Sequence, residues 1–318
     1  MPEPTAATPA LDIPFGDAIC YSGYRERQSP VTGDFPSYDE VREDLLLLQP
    51  HWRYLRLYDC SLHAERVLEV IETEGMDLRV MLGANMSAEV SNPECPWGGQ
   101  YGPETLAENR QANSDEIDRL VGLALRYPEI AFSVSIGNEA SVAWTDHLVP
   151  VERLIEYAQR VRRSVPQPVT FCENYVPWTG KLAALVPHLD FVSVHTYPVW
   201  EYQTIDRALD YTRQNYRSVA DRYPDVPVVI TEAGWTTGSN GRGIEPWNAS
   251  QELQADYVRQ LTAWSREHEV LTFVFEAFDE PWKGSPDSME PEKHWGLFTV
   301  DRRPKLAMRG LYRDAVPG

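Results

Sequence analysis

Lysine is scarce in this chain. The 318 residues include 4 Lys beside 25 Arg, and 48 acidic residues against 29 basic ones leave a net charge of -19. Such acidity excludes the electrostatic footprint of a DNA-, RNA- or anionic-membrane-binding protein. Cysteine is almost as rare. Cys20, Cys60, Cys95 and Cys172 form no CxxC pair, which argues against structural zinc, and they are too sparse for a disulfide framework. Most are expected to be free, with Cys95, in a loop, the most exposed. No stretch reaches the roughly 18 apolar residues of a transmembrane helix. The start, Met1 to Gly16, is rich in Pro and Ala but has neither the basic opening nor the apolar run of a signal peptide. There is no GxGxxG after the first apolar run, no HExxH, no cluster of His ligands and no phosphate loop, so neither a metal nor a cofactor is expected. No linker or low-complexity break divides the chain. Residues 1–16 are expected to be a flexible N-terminal segment and 17–318 a single soluble domain, with no compartment or oligomeric state assigned.

What is present is a rhythm. Short apolar runs occur at Ala18 to Tyr21, Tyr54 to Tyr58, Leu78 to Leu82, Ile130 to Ile136, Pro168 to Cys172, Phe191 to His195, Val226 to Thr231 and Leu271 to Phe275. Helix-like stretches lie between them: Ser37 to Leu48, Ala64 to Glu74, Asp115 to Arg126, Val151 to Ser164, Lys181 to Val186, Ile205 to Ala220 and Gln251 to Glu267, with a last one from Pro304 to Tyr312. Ser37 and Ser250 stand where N-caps belong. Eight strands alternating with helices at this length predict an α/β fold, a single (β/α)8 TIM barrel.

In such a barrel chemistry sits where the strands end. The fourth run ends in Gly137-Asn138-Glu139 and the seventh in Thr231-Glu232-Ala233-Gly234-Trp235. Alternation places Ser133, Ser135, Gly137 and Glu139 toward the axis, with Phe132, Val134 and Ile136 toward the helices; Val228, Ile230 and Glu232 share a face. Two glutamates thus converge on one barrel mouth. Paired carboxylates across a pocket are the equipment of glycoside hydrolysis, one protonating the leaving oxygen and one attacking the anomeric carbon. At a separation of about 5 Å their repulsion suppresses the second ionisation.

The aromatics agree. Of 10 Trp, eight follow strands: Trp97, Trp144, Trp178, Trp200, Trp235, Trp247, Trp282 and Trp295. Flat aromatic faces with polar neighbours suit the C–H faces and hydroxyl edges of a sugar. Half of the eight are expected to be structural, as are Trp52 and Trp264.

These residues resemble glycoside hydrolase family 17, the β-1,3-glucanases and related glucanosyltransferases. The resemblance is carried by Arg53-Tyr-Leu-Arg-Leu-Tyr-Asp59, Val80-Met-Leu-Gly83, Ile136-Gly-Asn-Glu139, Ile230-Thr-Glu-Ala-Gly-Trp235, Phe275-Glu-Ala-Phe-Asp-Glu-Pro-Trp-Lys283 and Glu292-Lys-His-Trp-Gly-Leu-Phe298, almost the whole chain. The eighth-strand motif is the most specific and looks fungal or bacterial rather than plant-like. The resemblance implies Glu139 as general acid/base and Glu232 as nucleophile, with Asn138 on the sugar 2-hydroxyl and Tyr197 beside Glu232. It implies a charged cluster of Glu280, Lys283 and Glu292 beside the site. Trp235 and Trp282 are expected to bind the substrate or to support the site. Glu276 is an extra carboxylate, equally suited to a sugar hydroxyl or to an inward Arg such as Arg56. Tyr58 is an inward aromatic, and His195 is expected behind the site as a hydrogen-bonding residue rather than a proton shuttle.

The implied function is retaining hydrolysis of β-1,3-glucan of laminarin type by double displacement, with a β-glucan oligo- or polysaccharide as the partner. The alternatives are a β-1,3-glucanosyltransferase remodelling β-1,3 or β-1,3/1,6 glucan and, in another class, a glucan-binding protein without turnover. Two departures from the family pattern stand out. Thr236-Thr237-Gly238 replaces a Pro after Trp235, and the inserts Ser91 to Asn109, Thr237 to Asn248 and Lys283 to His294 are long. Long loops after barrel strands set substrate length and linkage.

Overall fold

The computed structural model describes residues 11–311. Each apolar run becomes one parallel strand: β1 (Ala18–Cys20), β2 (Tyr54–Arg56), β3 (Arg79–Gly83), β4 (Ala131–Asn138), β5 (Val169–Asn174), β6 (Val192–Thr196), β7 (Val228–Gly234) and β8 (Thr272–Phe275). They pair in sequence order, and β8 returns to β1 to close the barrel. The helices between them are α1 (Tyr38–Leu48), α2 (Leu62–Glu74), α3 (Pro103–Arg126), α4 (Val151–Ser164), α5 (Tyr175–Trp178), α6 (Ile205–Ala220) and α7 (Gln251–His268). The fold is the single (β/α)8 barrel that the rhythm predicts. Almost every strand residue is buried because helices cover one side and barrel filling the other.

Local chemistry explains the helix starts. Ser37 accepts from the Glu40 amide while the Glu40 carboxylate accepts from the Ser37 amide, a reciprocal capping box. Ser250 caps α7 through the Leu253 amide. Helix α3 begins well before the expected Asp115, because Pro103 in its first turn is already set for helical φ. Two expected helices are absent. Lys181 to Val186 is a series of turns leading to a single 3₁₀ turn, Val186–His188, while α5 forms earlier; Pro187 lacks the N–H that a longer helix needs. Pro304 to Leu311 is also turns, since Pro304 bridges to Phe298 and the Lys305 ammonium is buried 2.6 Å from Asp279. Tyr312 lies outside the described residues.

Residues 1–10 of the expected N-terminal segment also lie outside them. Leu11 and Ile13 pack against the core, and the Tyr54 hydroxyl donates to the Pro14 carbonyl at 2.6 Å.

Simple alternation fails in β4 and β7. Val80 pairs with Ala131 but the next residue, Met81, pairs with Ser133, so Phe132 sits on a bulge. Its ring lies 4.8 Å from that of Tyr54, inside the barrel and not against the helices as expected. In β7, Ile230 pairs with Val194 and Glu232 with His195. Those β6 residues are consecutive and point to opposite faces, so Glu232 does not share the face of Val228 and Ile230.

All four cysteines are free and buried. Cys95 is the least buried of the four, as expected, but at 8% it is still buried, its Sγ 3.2 Å from the Trp144 carbonyl between two loops. Among the described residues no helix is long and apolar enough to cross a membrane.

Candidate active site

The bulges decide what reaches the mouth of the barrel. Ser135 pairs with Thr170 and Asn138 with Cys172, residues on one face of β5, so three steps along β4 match two along β5. That extra residue turns Asn138 inward where alternation would turn it out. Glu139 follows in the left-handed region at φ 45°, which lets two consecutive side chains enter the same space. Its amide donates to the Cys172 carbonyl at 2.9 Å, fixing the turn to β5. On the far side, Gly234 lets β7 pass close to β8, for a Cβ there would collide with the Phe275 carbonyl.

Glu232 is held tightly. One carboxylate oxygen pairs with the Arg56 guanidinium, the other accepts from the Tyr197 hydroxyl, and His195 Nδ1 lies 3.4 Å away. Burial alone would raise its pKa, but the positive His195 and Arg56, aided by the two hydrogen bonds, bring it down to about 2. Glu232 is therefore a carboxylate at neutral pH. Glu139 has one partner in the site, His195 Nδ1 at 2.9 Å, and its side chain is 29% exposed against 7% for Glu232. His195 is fully buried. Burial opposes its charge, yet Glu232, the Cys172 thiol and Glu139 push its pKa up to about 10. The imidazolium thus bridges the two carboxylates as a fixed cation. One ligand atom each from Glu139, His195 and Glu232 lies within 4.8 Å of the others, a set that could also hold a metal ion. Arg56 already supplies a positive charge there.

These groups open into a cavity of ≈ 690 Å³. Of the eight Trp after strands, Trp97, Trp144, Trp200, Trp282 and Trp295 line it. Trp97 and Trp144 are exposed and sit on loops pinned together by Asn92, whose Nδ2 donates to the carbonyls of Ala143 at 2.9 Å and Thr145 at 2.7 Å. Trp178 is buried, its Nε1 donating to the Ser193 carbonyl at 2.8 Å, and Trp247 is exposed away from the cavity. Trp52 and Trp264 are buried, as expected.

Trp235 takes the supporting alternative. It is fully buried, donates from Nε1 to the Asn248 carbonyl at 2.8 Å and packs on Tyr257, so it supports the wall without facing the cavity. Glu276 is a correction. Its partner is Lys283 at 3.2 Å, not Arg56, whose guanidinium goes to Glu232 and to the Asn138 amide oxygen. Burial and the neighbouring Glu280 drive the Glu276 pKa well above the usual carboxyl range, against the pull of Lys283. Glu276 does not line the cavity, whereas Glu280, Trp282, Lys283 and Glu292 do. Glu280 accepts from Ser22 and from Trp282 Nε1 (3.1 Å) and pairs with Lys283. Burial and proximity set Glu292 upward as well, against the pull of Lys283. Tyr58 lines the cavity, with the Arg56 guanidinium 4.4 Å from its ring. The loops at 237–248 and 283–294 are tied together by Arg242, whose Nε donates to both oxygens of Glu290 at 2.9 and 3.1 Å.

Sequence reasoning missed His147 and Glu173. His147 lines the cavity with Nδ1 2.8 Å from Asp146 and Nε2 3.0 Å from the Asn138 carbonyl. Burial opposes its charge, but those two contacts win and raise its pKa. Its signal was the polar Thr145-Asp146-His147 run in the loop between β4 and α4. Glu173 closes β5 beside Cys172 and is fully buried. Reading the end of the fifth run as closely as the fourth and seventh would have found it.

The chain belongs to the family described as the BtgE/BtgC glycoside hydrolase domain, whose model matches residues 18–296. A glucan 1,3-beta-glucosidase of Arthroderma benhamiae is 30% identical over 130 residues, 36% of this chain and 41% of that protein. A probable glucan endo-1,3-beta-glucosidase of Aspergillus clavatus is 24% identical over 86% of this chain and 40% of its own length. The chain therefore spans about two-fifths of the length of these curated relatives. Among solved structures, an endo-laminarinase from Formosa Hel1_33_131 matches with a TM-score of 0.80 and 26% identity, covering 93% of this chain and 86% of that one. An active-site mutant of a Rhizomucor miehei beta-1,3-glucanosyltransferase in complex with laminaritriose shares the fold, with a TM-score of 0.71 and 22% identity over 92% of this chain and 96% of the other.

Proposed function

Proceeding from that membership, we propose that the chain is a retaining glycoside hydrolase acting on β-1,3-glucan. The observation that carries the reading is the pair at the barrel mouth: carboxylate oxygens of Glu139 and Glu232 within 4.8 Å of each other, in an aromatic-lined cavity. Carboxyl groups about 5–5.5 Å apart suit retention, whereas inversion leaves room for a water between them. The names of the Arthroderma, Aspergillus and Formosa proteins supply the sugar and linkage.

Glu232, ionised and braced by Arg56 and Tyr197, attacks the anomeric carbon. Glu139, the more exposed carboxyl, delivers a proton to the departing oxygen. The bond to the leaving sugar breaks as the bond to Glu232 forms, giving a covalent glucosyl-enzyme. Glu139 then takes a proton from water, which displaces Glu232 and releases a product with the original anomeric configuration. Asn138, oriented by Arg56, offers its amide to the sugar 2-hydroxyl.

A second reading, glucanosyl transfer, is favoured by one feature. Trp97 and Trp144 line the cavity from the loops after β3 and β4, the latter loop also carrying Glu139 at its start, and are exposed and preset by the Asn92 clamp. A sugar held there could replace water as the acceptor. Incubation with a defined β-1,3-gluco-oligosaccharide, with products resolved by length and anomer, tests both readings. Shorter β-anomeric products support the hydrolase; products longer than the donor support the transferase; α-anomeric first products would overturn retention.

A further inference from the structure

Glu173 is the fully buried carboxyl at the end of β5 to which the mechanism above gives no task. Burying a carboxyl is costly unless its lone pairs are satisfied, so its partners show its purpose. Oε2 accepts from the Ser141 amide at 2.9 Å and the Ser141 hydroxyl at 2.7 Å, and Oε1 accepts from the Asn174 amide at 2.7 Å. Ser141 stands two residues past Glu139, at the close of the left-handed turn that brings Glu139 into the cavity. The β5 end therefore grips that turn twice, through the Cys172 carbonyl at the Glu139 amide and through Glu173 at Ser141.

From this geometry we infer that Glu173 is the positioning residue of Glu139, fixing the turn that carries it and coupling its proton to a second, hidden carboxyl. The inference rests on the reading of Glu139 as acid/base. Burial first, and the charge of Glu139 second, push the Glu173 pKa up to about 7. A charge on Glu139 thus opposes ionisation of the hidden Glu173 carboxyl. The other charged groups facing Glu139 are His195 from β6, Glu232 from β7, His147 from the loop after β4 and Glu292 from the segment after β8. Arg56 from β2 reaches the neighbouring Asn138. None of these bonds to the backbone of the Glu139–Ser141 turn as Glu173 does.

Two variants of the full chain lessen the charge on Glu173 to different degrees. Glu173→Gln keeps the shape and removes the charge, so the basic limb of the kcat/KM profile moves to lower pH by on the order of one unit. Ser141→Ala removes a hydroxyl donor that stabilises the Glu173 anion, so Glu173 is ionised less readily and the limb moves in the same direction by a smaller amount. The substrates are a β-1,3-gluco-oligosaccharide, whose leaving oxygen needs a proton, and a 2,4-dinitrophenyl β-glycoside of laminaribiose, which does not. Glu173→Gln lowers kcat/KM by up to about 100-fold on the first, and much less on the second. Equal losses on both donors with unmoved limbs would make Glu173 a structural residue only and overturn the inference. If Glu173→Gln fails to fold, Ser141→Ala decides alone, its unmoved limb being the negative result. Failure of the underlying reading looks different: wild-type protein would cleave neither donor, or Glu139→Ala would match wild type on the oligosaccharide, and this inference would fall with it.

Discussion

The two sides of the barrel mouth treat their carboxylates differently. Glu232 on β7 is clamped by a guanidinium, an imidazolium and a phenol and is almost inaccessible. Glu139, just past β4, has His195 as its side-chain hydrogen-bond partner among the described residues and remains open to the cavity. The difference matches the two tasks. A nucleophile has to be ionised and stationary, which many fixed donors achieve without reorganisation. An acid/base has to release a proton and recover one, which solvent access permits.

The harshest test of that contrast is to delete each carboxylate. Glu232→Ala and Glu139→Ala should each lose several orders of magnitude in kcat while keeping wild-type circular dichroism. Azide should rescue the two with opposite stereochemistry, giving an α-glucosyl azide from Glu232→Ala and a β-glucosyl azide from Glu139→Ala; the reverse pairing would exchange their roles.

Removing the clamp comes next. Arg56→Met takes the guanidinium from the buried Glu232 and leaves it to His195 and Tyr197, which should cost about 3–5 kcal/mol of stability and move the acidic limb of kcat/KM to higher pH. Urea melts at several pH values read both effects. The same melts check the linkage. The Glu232 pKa is depressed from 4.5 to about 2, so its contribution is present above pH 4.5 and fades as pH falls toward 2. The His195 pKa is raised from 6.5 to about 10, so its contribution is full below pH 6.5 and fades as pH rises toward 10. In Arg56→Met the acidic fading should be smaller and end at higher pH, because the folded-state pKa of Glu232 lies closer to 4.5.

Tyr197→Phe removes one donor to a charged oxygen, worth about 1.5–3 kcal/mol. The loss should fall in kcat rather than KM and be roughly tenfold or more. Trp97→Ala and Trp144→Ala should have smaller effects. Aromatic contacts of about 0.5–1.5 kcal/mol translate into weaker binding of long oligosaccharides and a lower ratio of transfer to hydrolysis, with the dinitrophenyl donor unaffected. Trp235→Phe should leave KM unchanged and cost about 1–3 kcal/mol, because the Asn248 carbonyl loses its buried donor.

Much of this was legible in the sequence. The eight apolar runs became the eight strands because each is a short stretch buried on both faces. Glu139 and Glu232 were legible because a strand end of Asn-Glu or Thr-Glu-Ala-Gly-Trp places a carboxylate where the barrel opens. Their directions were not. The bulges at Phe132, between Ser135 and Asn138, and in β7 arise from pairing with neighbouring strands, which no local pattern encodes. Arg56 was recognised as inward-facing but given the wrong partner, since contacts across a barrel depend on side-chain reach and strand stagger. For Trp235, type and position fitted a binding and a supporting role equally; the Asn248 carbonyl and Tyr257 behind it explain why it turns from the cavity.

The four buried thiols have one more use. Each is a natural probe of opening, reacting with an alkylating reagent only when its surroundings part. Cys95 reports the clasp between the Trp97 and Trp144 loops, while Cys20 and Cys172 report the barrel interior. Labelling in the native state should therefore mark Cys95 first and the interior pair only at the rate of global unfolding, so a single mass-spectrometric time course separates breathing of the cleft from loss of the scaffold.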